Sequence, residues 1–150
     1  MKSWCKMIIN KNILTINTGI ICHQVNCMGK MGAGLALKIR KKWHIVYEQY
    51  LFECFKDKMK LGSVQIVQVS PSLYVANLAG QYSYGRDKRY TNYPALMNCF
   101  IDLQKISDSL KLQIYIPYKI GCSNAGGDWE IVEKLIYETI KNPVVCKYEI

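Results

Sequence analysis

Apolar positions along this chain fall into two alternating kinds of run. Residues 19–25 are apolar almost without interruption, which predicts a central strand buried on both faces. Residues 64–69 set Val64, Ile66, Val67 and Val69 around Gln65 and Gln68, a β-branched stretch that reads as a strand. Residues 73–78 read as another, after a turn at Pro71-Ser72. Shorter stretches at 6–9, 13–16, 112–118 and 144–148 predict four further strands. Between these runs the period changes. Leu35, Ile39 and Trp43 fall at helical spacing, and Val46, Tyr50, Leu51, Cys54 and Phe55 mark a second helical stretch. Pro94 opens a third helix with Leu96, Cys99, Phe100, Leu103 and Ile106 as its stripe. Residues 129–141 predict a fourth, with Val132, Leu135, Ile136 and Ile140 inward. Strands and helices interleave, which argues for an α/β layered sandwich around a mixed, mostly parallel sheet. Residues 79–93 mix glycine, polar and aromatic residues without a period; a loop of that length in a compact domain is often functional.

Two glycine-rich turns share one context. Strand 19–25 runs through His23-Gln24-Val25-Asn26 into Gly29, Gly32 and Gly34 and then a helix; strand 112–118 runs into residues 120–128 and then a helix. Glycines let the backbone approach a ligand closely, and a helix start offers unpaired N–H groups and a positive dipole end. Taken singly each reads either as a structural turn or as a phosphate site; two at the carboxyl edge of one sheet would grip two phosphates, or one diphosphate, from opposite sides. Neither has the G-x-G-x-x-G order of a dinucleotide fold or the Gly-Lys-Ser/Thr of a P-loop.

Composition narrows the class. The 150 residues suit one domain, half are hydrophobic, and no apolar run approaches the roughly 18 residues of a membrane span. The start, Met1-Lys2-Ser3-Trp4-Cys5-Lys6, does not read as a secretory signal. Twenty basic residues against eleven acidic ones give +9, either a solvated basic surface or the mark of an anionic partner. The densest basic run is only Arg40-Lys41-Lys42, so nucleic acid is allowed but not demanded. The seven cysteines (5, 22, 27, 54, 99, 122 and 146) are odd in number and form no C-x-x-C pair, which supports neither a disulfide framework nor zinc. A reducing cytoplasm is the simplest setting, and no metal or cofactor is expected.

His23, late in the buried strand, reads either as a satisfied core histidine or as a general acid/base or positioner at the strand's carboxyl end. Asn26 reads either as the cap of the turn or as an amide for ribose hydroxyls. Asp128, directly before a helix, reads either as an N-cap or as a carboxylate that orients or deprotonates water. Cys27 with His23 makes a weak nucleophile pair, since no third group orients the base. Trp129 reads as a core anchor.

The stretch Cys22-His23-Gln24-Val25-Asn26-Cys27-Met28-Gly29-Lys30-Met31-Gly32-Ala33-Gly34-Leu35-Ala36, with Ile116-Pro117-Tyr118-Lys119-Ile120-Gly121-Cys122-Ser123-Asn124-Ala125-Gly126-Gly127-Asp128-Trp129, resembles the macrodomains. Within them it resembles the small stand-alone proteins of bacteria, phages and yeast described as processing ADP-ribose-1''-phosphate. Asn10-Lys11-Asn12-Ile13-Leu14 resembles the family's strand-end motif near adenosine, and Thr91-Asn92-Tyr93-Pro94-Ala95-Leu96 its later helix start, so the resemblance spans nearly the whole chain. It implies a three-layer α/β/α sandwich that binds ADP-ribose in a cleft over the sheet. Asn12 and Ile13 would lie near adenosine and Asn26 at the distal ribose. Gly32, Ala33 and Gly34 would meet the phosphates. Gly121, Cys122, Ser123, Asn124, Ala125, Gly126 and Gly127 would close from the other side. His23 matches a histidine beside the distal ribose in the phosphatase relatives, with Asp128 the nearest acidic residue. The chain departs from the family at Ser123 and Asn124, which replace a glycine and a leucine, and at Asn12, where many relatives carry aspartate. Ala125 and Ser83 fall where the branch acting on protein carboxylates carries its aspartate and lysine.

The resulting expectation is a monomeric hydrolase converting ADP-ribose-1''-phosphate to ADP-ribose and phosphate, with His23 or Asp128 assisting proton transfer. The alternatives are a binder of ADP-ribose or a related signalling nucleotide without turnover, removal of ADP-ribose from protein or nucleic acid, and nucleic-acid binding through charge alone.

Overall fold

Gly19–Val25 (β2) is the strand to which the other elements are referred, in a computed structural model that describes residues 6–148. Cys5 and the start of the chain lie outside the described residues. Five more strands surround β2: β1 (Met7–Ile9), β3 (Val64–Ser70), β4 (Leu73–Ala79), β5 (Ile114–Pro117) and β6 (Val144–Cys146). Among the described residues they form one six-stranded sheet in the order β1-β6-β5-β2-β4-β3. Every neighbouring pair is parallel except β3 with β4. The exception follows from chain length: only Pro71 and Ser72 separate β3 from β4, enough for a tight antiparallel turn and far too little for a parallel crossover.

Helices cover both faces, as an α/β/α sandwich requires. α1 (Gly34–Lys42) and α2 (His44–Phe55) lie over one face, where Ile21, Val25, Ile39, Val46 and Tyr50 are buried together. α3 (Tyr93–Leu110) and α4 (Trp129–Thr139) lie over the other, packing Leu96, Phe100, Leu103, Val132 and Ile136 on Ile20 and Cys22. Successive β2 side chains thus enter opposite cores, which is why the strand reads as apolar up to Cys22, before His23 and Gln24 turn to polar partners. Among the described residues no helix is long and apolar enough to cross a membrane.

One expected strand is absent. Residues 13–16 hold a single 3-10 turn over Ile13–Thr15, although three of the four are apolar and β-favouring. Asn12 decides this. Its side chain accepts from the Leu14 N–H at 3.0 Å and its carbonyl from the Thr15 N–H at 2.9 Å, so local side-chain bonding beats β propensity. The basic run Arg40-Lys41-Lys42 forms the last turn of α1, where cations suit the negative dipole end; Arg40 stacks on Tyr47 and Lys42 donates to the Leu14 carbonyl.

Candidate functional site

The parallel strands bring their carboxyl ends to one edge. There the chain leaving β2 (residues 26–33) and the chain leaving β5 (residues 118–128) separate around a cleft of about 480 Å³. A third wall comes from the segment after β4, through Tyr84, Gly85 and Arg86.

Asn26 organises the first loop. Its Oδ1 accepts from Met28 N–H at 2.9 Å and Lys30 N–H at 3.3 Å, and its Nδ2 donates to the Lys30 carbonyl at 2.9 Å. Tyr50 of α2 braces the turn: its hydroxyl lies 2.6 Å from the Asn26 carbonyl and 2.8 Å from Oδ1, and accepts from Gly29 N–H. The turn-cap reading of Asn26 therefore holds. Asn26 also lines the cleft, and the second Nδ2 hydrogen has no partner among the described residues, so both readings are compatible.

The loop delivers Gly32, Ala33 and Gly34 to the cleft at the start of α1. The N-cap is Ala33, whose side chain caps nothing, so the first-turn N–H groups remain for a ligand. Gly32 has nothing within 4 Å of where a Cβ would stand. A side chain there is excluded by no protein atom and would occupy the cleft.

The second loop contrasts with this. A Cβ on Gly127 would fall 2.6 Å from the Gly121 carbonyl oxygen, so this glycine serves packing. That loop is tied to the segment before α3: Tyr90 and Thr91 N–H groups donate to the Ala125 carbonyl, and the Thr91 hydroxyl donates to the Gly121 carbonyl. Gln24 joins both to β2, its Nε2 donating to Gln81 Oε1 at 2.8 Å and Thr91 Oγ1 at 2.9 Å. Gly121, Ser123, Asn124 and Ala125 line the cleft; Cys122, Gly126 and Gly127 do not.

His23 sits in the cleft floor, buried, at the end of a row of amides. Gln65 Nε2 donates to the Gln49 carbonyl, which turns Gln65 Oε1 toward Asn77. Asn77 Nδ2 donates to Gln65 Oε1 at 3.0 Å, which turns Asn77 Oδ1 toward His23 Nε2 at 2.5 Å. The backbone carbonyl thus orients each amide in turn, and His23 must carry its proton on Nε2. Nδ1 is left as a bare acceptor, buried and without a partner among the described residues. Burial pulls the imidazole pKa down to about 4, against a smaller opposing effect of Asn77, so His23 is neutral at pH 7.

Asp128 does not line the cleft. It is exposed and caps α4, accepting from Glu130 N–H at 2.9 Å. Asn12 caps its own turn, and neither Asn12 nor Ile13 lines the cleft. Cys27 is not paired with His23; its thiol donates to the Gln81 carbonyl and burial pushes its pKa up. Burial likewise pushes the Cys122 thiol up to about 11. Trp129 packs edge-on against Tyr118. The charged side chains of the cleft are Lys30, Arg86 and Lys119, and among the described residues no Asp or Glu lines it. These cations, with Tyr50, Asn77 and Gln65, were not singled out from sequence. A lysine beside each glycine loop is the signal that was there to read.

No family model matches the chain. It is 30% identical over 122 residues, 77% of this chain and 76% of the other, to an uncharacterized 17.5 kDa protein of Enterobacteria phage T4. It is 24% identical over 126 residues to a DNA ADP-ribosyl glycohydrolase of Mycobacterium tuberculosis; the match takes in 82% of this chain and 35% of that one, so the chain spans about a third of that relative. Among solved structures, a Bacteroides thetaiotaomicron protein of unknown function superposes with a TM-score of 0.87 at 30% identity, covering 97% of this chain and 99% of that one. The macrodomain of Mycobacterium tuberculosis DarG gives 0.81 at 20% identity, covering 97% and 100%. Thermosipho africanus DarTG in complex with ADP-ribose gives 0.79 at 15% identity, covering 95% and 41%.

Proposed function

We propose that this chain, which shares the macrodomain fold, binds ADP-ribose in its cleft and hydrolyses the bond joining the distal ribose to the group it carries. One observation carries the reading. The uncapped start of α1 and the loop at 121–125 face one cleft whose charged side chains are Lys30, Arg86 and Lys119. N–H groups, a helix dipole and three cations around one space suit a diphosphate.

In this reading the diphosphate lies between the loops and the distal ribose over Asn26 and His23. The free N–H of Asn26 meets a ribose hydroxyl. His23 is neutral and its Nδ1 is buried, so it shapes the cleft floor beneath the ribose and at pH 7 has no proton on Nδ1 to give. Hydrolysis breaks the bond between ribose C1'' and the departing group; water supplies the new hydroxyl at C1'' and its other proton goes to the departing group, while the cations and N–H groups hold the diphosphate in place. Asp128 has no part in this scheme.

For the departing group we favour DNA. The support is the aligned mycobacterial relative whose name states that activity, together with a basic, aromatic wall beside the site. A second reading is ADP-ribose-1''-phosphate, which a cleft holding cations and no carboxylate would accommodate as a terminal dianion.

Calorimetry with ADP-ribose tests the binding step. Incubation with ADP-ribosylated single-stranded DNA and, separately, with ADP-ribose-1''-phosphate tests the reaction. Release of ADP-ribose from DNA supports the first reading; phosphate release alone supports the second. Binding with neither product overturns the hydrolase, and no binding overturns the whole reading.

A further inference from the structure

We propose that the segment from Gln81 to Tyr90 is a docking strip for single-stranded DNA bearing the ADP-ribosyl group; this rests on the DNA reading above. The segment reads Gln81-Tyr82-Ser83-Tyr84-Gly85-Arg86-Asp87-Lys88-Arg89-Tyr90, with aromatic and basic residues interleaved. Its first part alternates like a strand: Gln81 and Ser83 are tucked in and joined by a hydrogen bond from Gln81 Nε2 to the Ser83 carbonyl, whereas Tyr82 is 62% exposed and Tyr84 49%. Arg86, Lys88 and Arg89 are exposed as well.

The ends are anchored. Cys27 N–H donates to the Tyr82 carbonyl at 2.9 Å, Gln24 grips Gln81 and Thr91, and Tyr90 N–H donates to the Ala125 carbonyl at 2.7 Å. Two of the three cations lie over aromatic rings, Arg89 over Tyr93 at 4.5 Å and Lys88 over Tyr90 at 5.3 Å. Asp87, the acidic residue of the strip, is engaged by the Tyr90 hydroxyl at 2.6 Å.

The strip's position supplies its use. The Cys27–Tyr82 hydrogen bond sets it against Asn26, the residue that meets the distal ribose in the proposed complex, and Tyr84 and Arg86 also line the cleft. A group attached to that ribose leaves the cleft onto this segment. Flat aromatic faces between cations suit a chain of bases and phosphates. The bases must be unpaired, because a duplex hides their faces from a surface tyrosine. A peptide would ask for an open sheet edge or an apolar groove, and the strip provides neither.

The test uses a double variant away from the cleft lining, Tyr82→Ala with Lys88→Ala. Fluorescence anisotropy measures binding of an unmodified DNA strand of about 12 nucleotides, its duplex and the RNA of the same sequence. Wild-type protein should bind the DNA strand more tightly than the duplex and no less tightly than the RNA, with affinity falling as salt rises from about 50 to about 200 mM. The double variant should lose roughly tenfold in strand affinity while its calorimetric affinity for free ADP-ribose stays within about twofold. Unchanged strand binding in the variant, preference for the duplex, or preference for RNA overturns the proposal. Loss of ADP-ribose binding in wild-type protein would instead strike the proposed function, since the strip is assayed with DNA that carries no ADP-ribose.

Discussion

His23 Nε2 and Asn77 Oδ1 lie 2.5 Å apart across the neighbouring strands β2 and β4, and this contact determines which imidazole nitrogen holds the proton. Asn77 has no choice of orientation, because Gln65 takes its amide hydrogen and the Gln49 carbonyl fixes Gln65. Nitrogen-15 NMR at pH 7 should show Nε2 protonated and Nδ1 bare. In Asn77→Leu the tautomers should mix; an unchanged spectrum there would remove Asn77 from this role.

The same burial makes stability depend on pH. The folded pKa of His23 is about 4 against an ordinary 6.5, so between these values the unfolded chain binds more protons than the folded one. The contribution is complete above pH 6.5 and is lost as pH falls toward 4. For so buried a group it amounts to roughly 3 kcal/mol across the window. Urea unfolding at pH 7 and at pH 4.5 should show a smaller fall for His23→Leu than for wild type. Equal falls would assign the acid sensitivity elsewhere.

Asn26→Ala removes an acceptor from two backbone N–H groups and a partner from Tyr50. Unsatisfied groups in a tight loop cost about 2–3 kcal/mol in all, so denaturation should report a clear loss of stability along with weaker binding. Tyr50→Phe keeps the ring and loses only the brace, which should cost about 1 kcal/mol. A stable Asn26→Ala protein would leave ribose contact as the main duty of that side chain.

Gly32→Ala and Gly127→Ala separate ligand space from packing. The first places a methyl in the open cleft and should leave the melting temperature unchanged while sharply weakening ADP-ribose binding. The second drives a methyl against the Gly121 carbonyl and should cost about 2 kcal/mol. Full ADP-ribose affinity in Gly32→Ala would exclude the ligand from the start of α1.

Asp128→Asn keeps an oxygen for the Glu130 N–H and should keep both fold and turnover. Asp128→Ala should lose about 1 kcal/mol of stability, as helix caps do, with kcat unaltered once the protein is folded. A collapse of kcat in Asp128→Asn would restore a catalytic part for the carboxylate.

Much of this molecule can be read from its residues in order. The mostly apolar run at 19–25 suits a strand covered on both sides, and the helical stripes of α1, α3 and α4 name the face they bury; in α2 only Val46 and Tyr50 are fully buried, whereas Phe55, at the same helical spacing, is 93% exposed. Two glycine loops, each between a strand and a helix, marked the edge where the cleft opens. The exception at 13–16 arose because one asparagine side chain reached the backbone two residues on, a local bond that apolar patterning does not register. What patterning cannot carry is contact between distant positions. Asn77 stands 54 residues from His23 and 12 from Gln65, and only the register of β2, β4 and β3 sets the three in a row. The same holds for Arg86, brought to the cleft by a loop from another strand, and for Asp128, whose place outside the cleft depends on the direction in which α4 begins. Periodicity records which side of an element faces apolar surroundings. The identity of the polar neighbour is decided by strand register and loop path, and those exist only once the chain has folded.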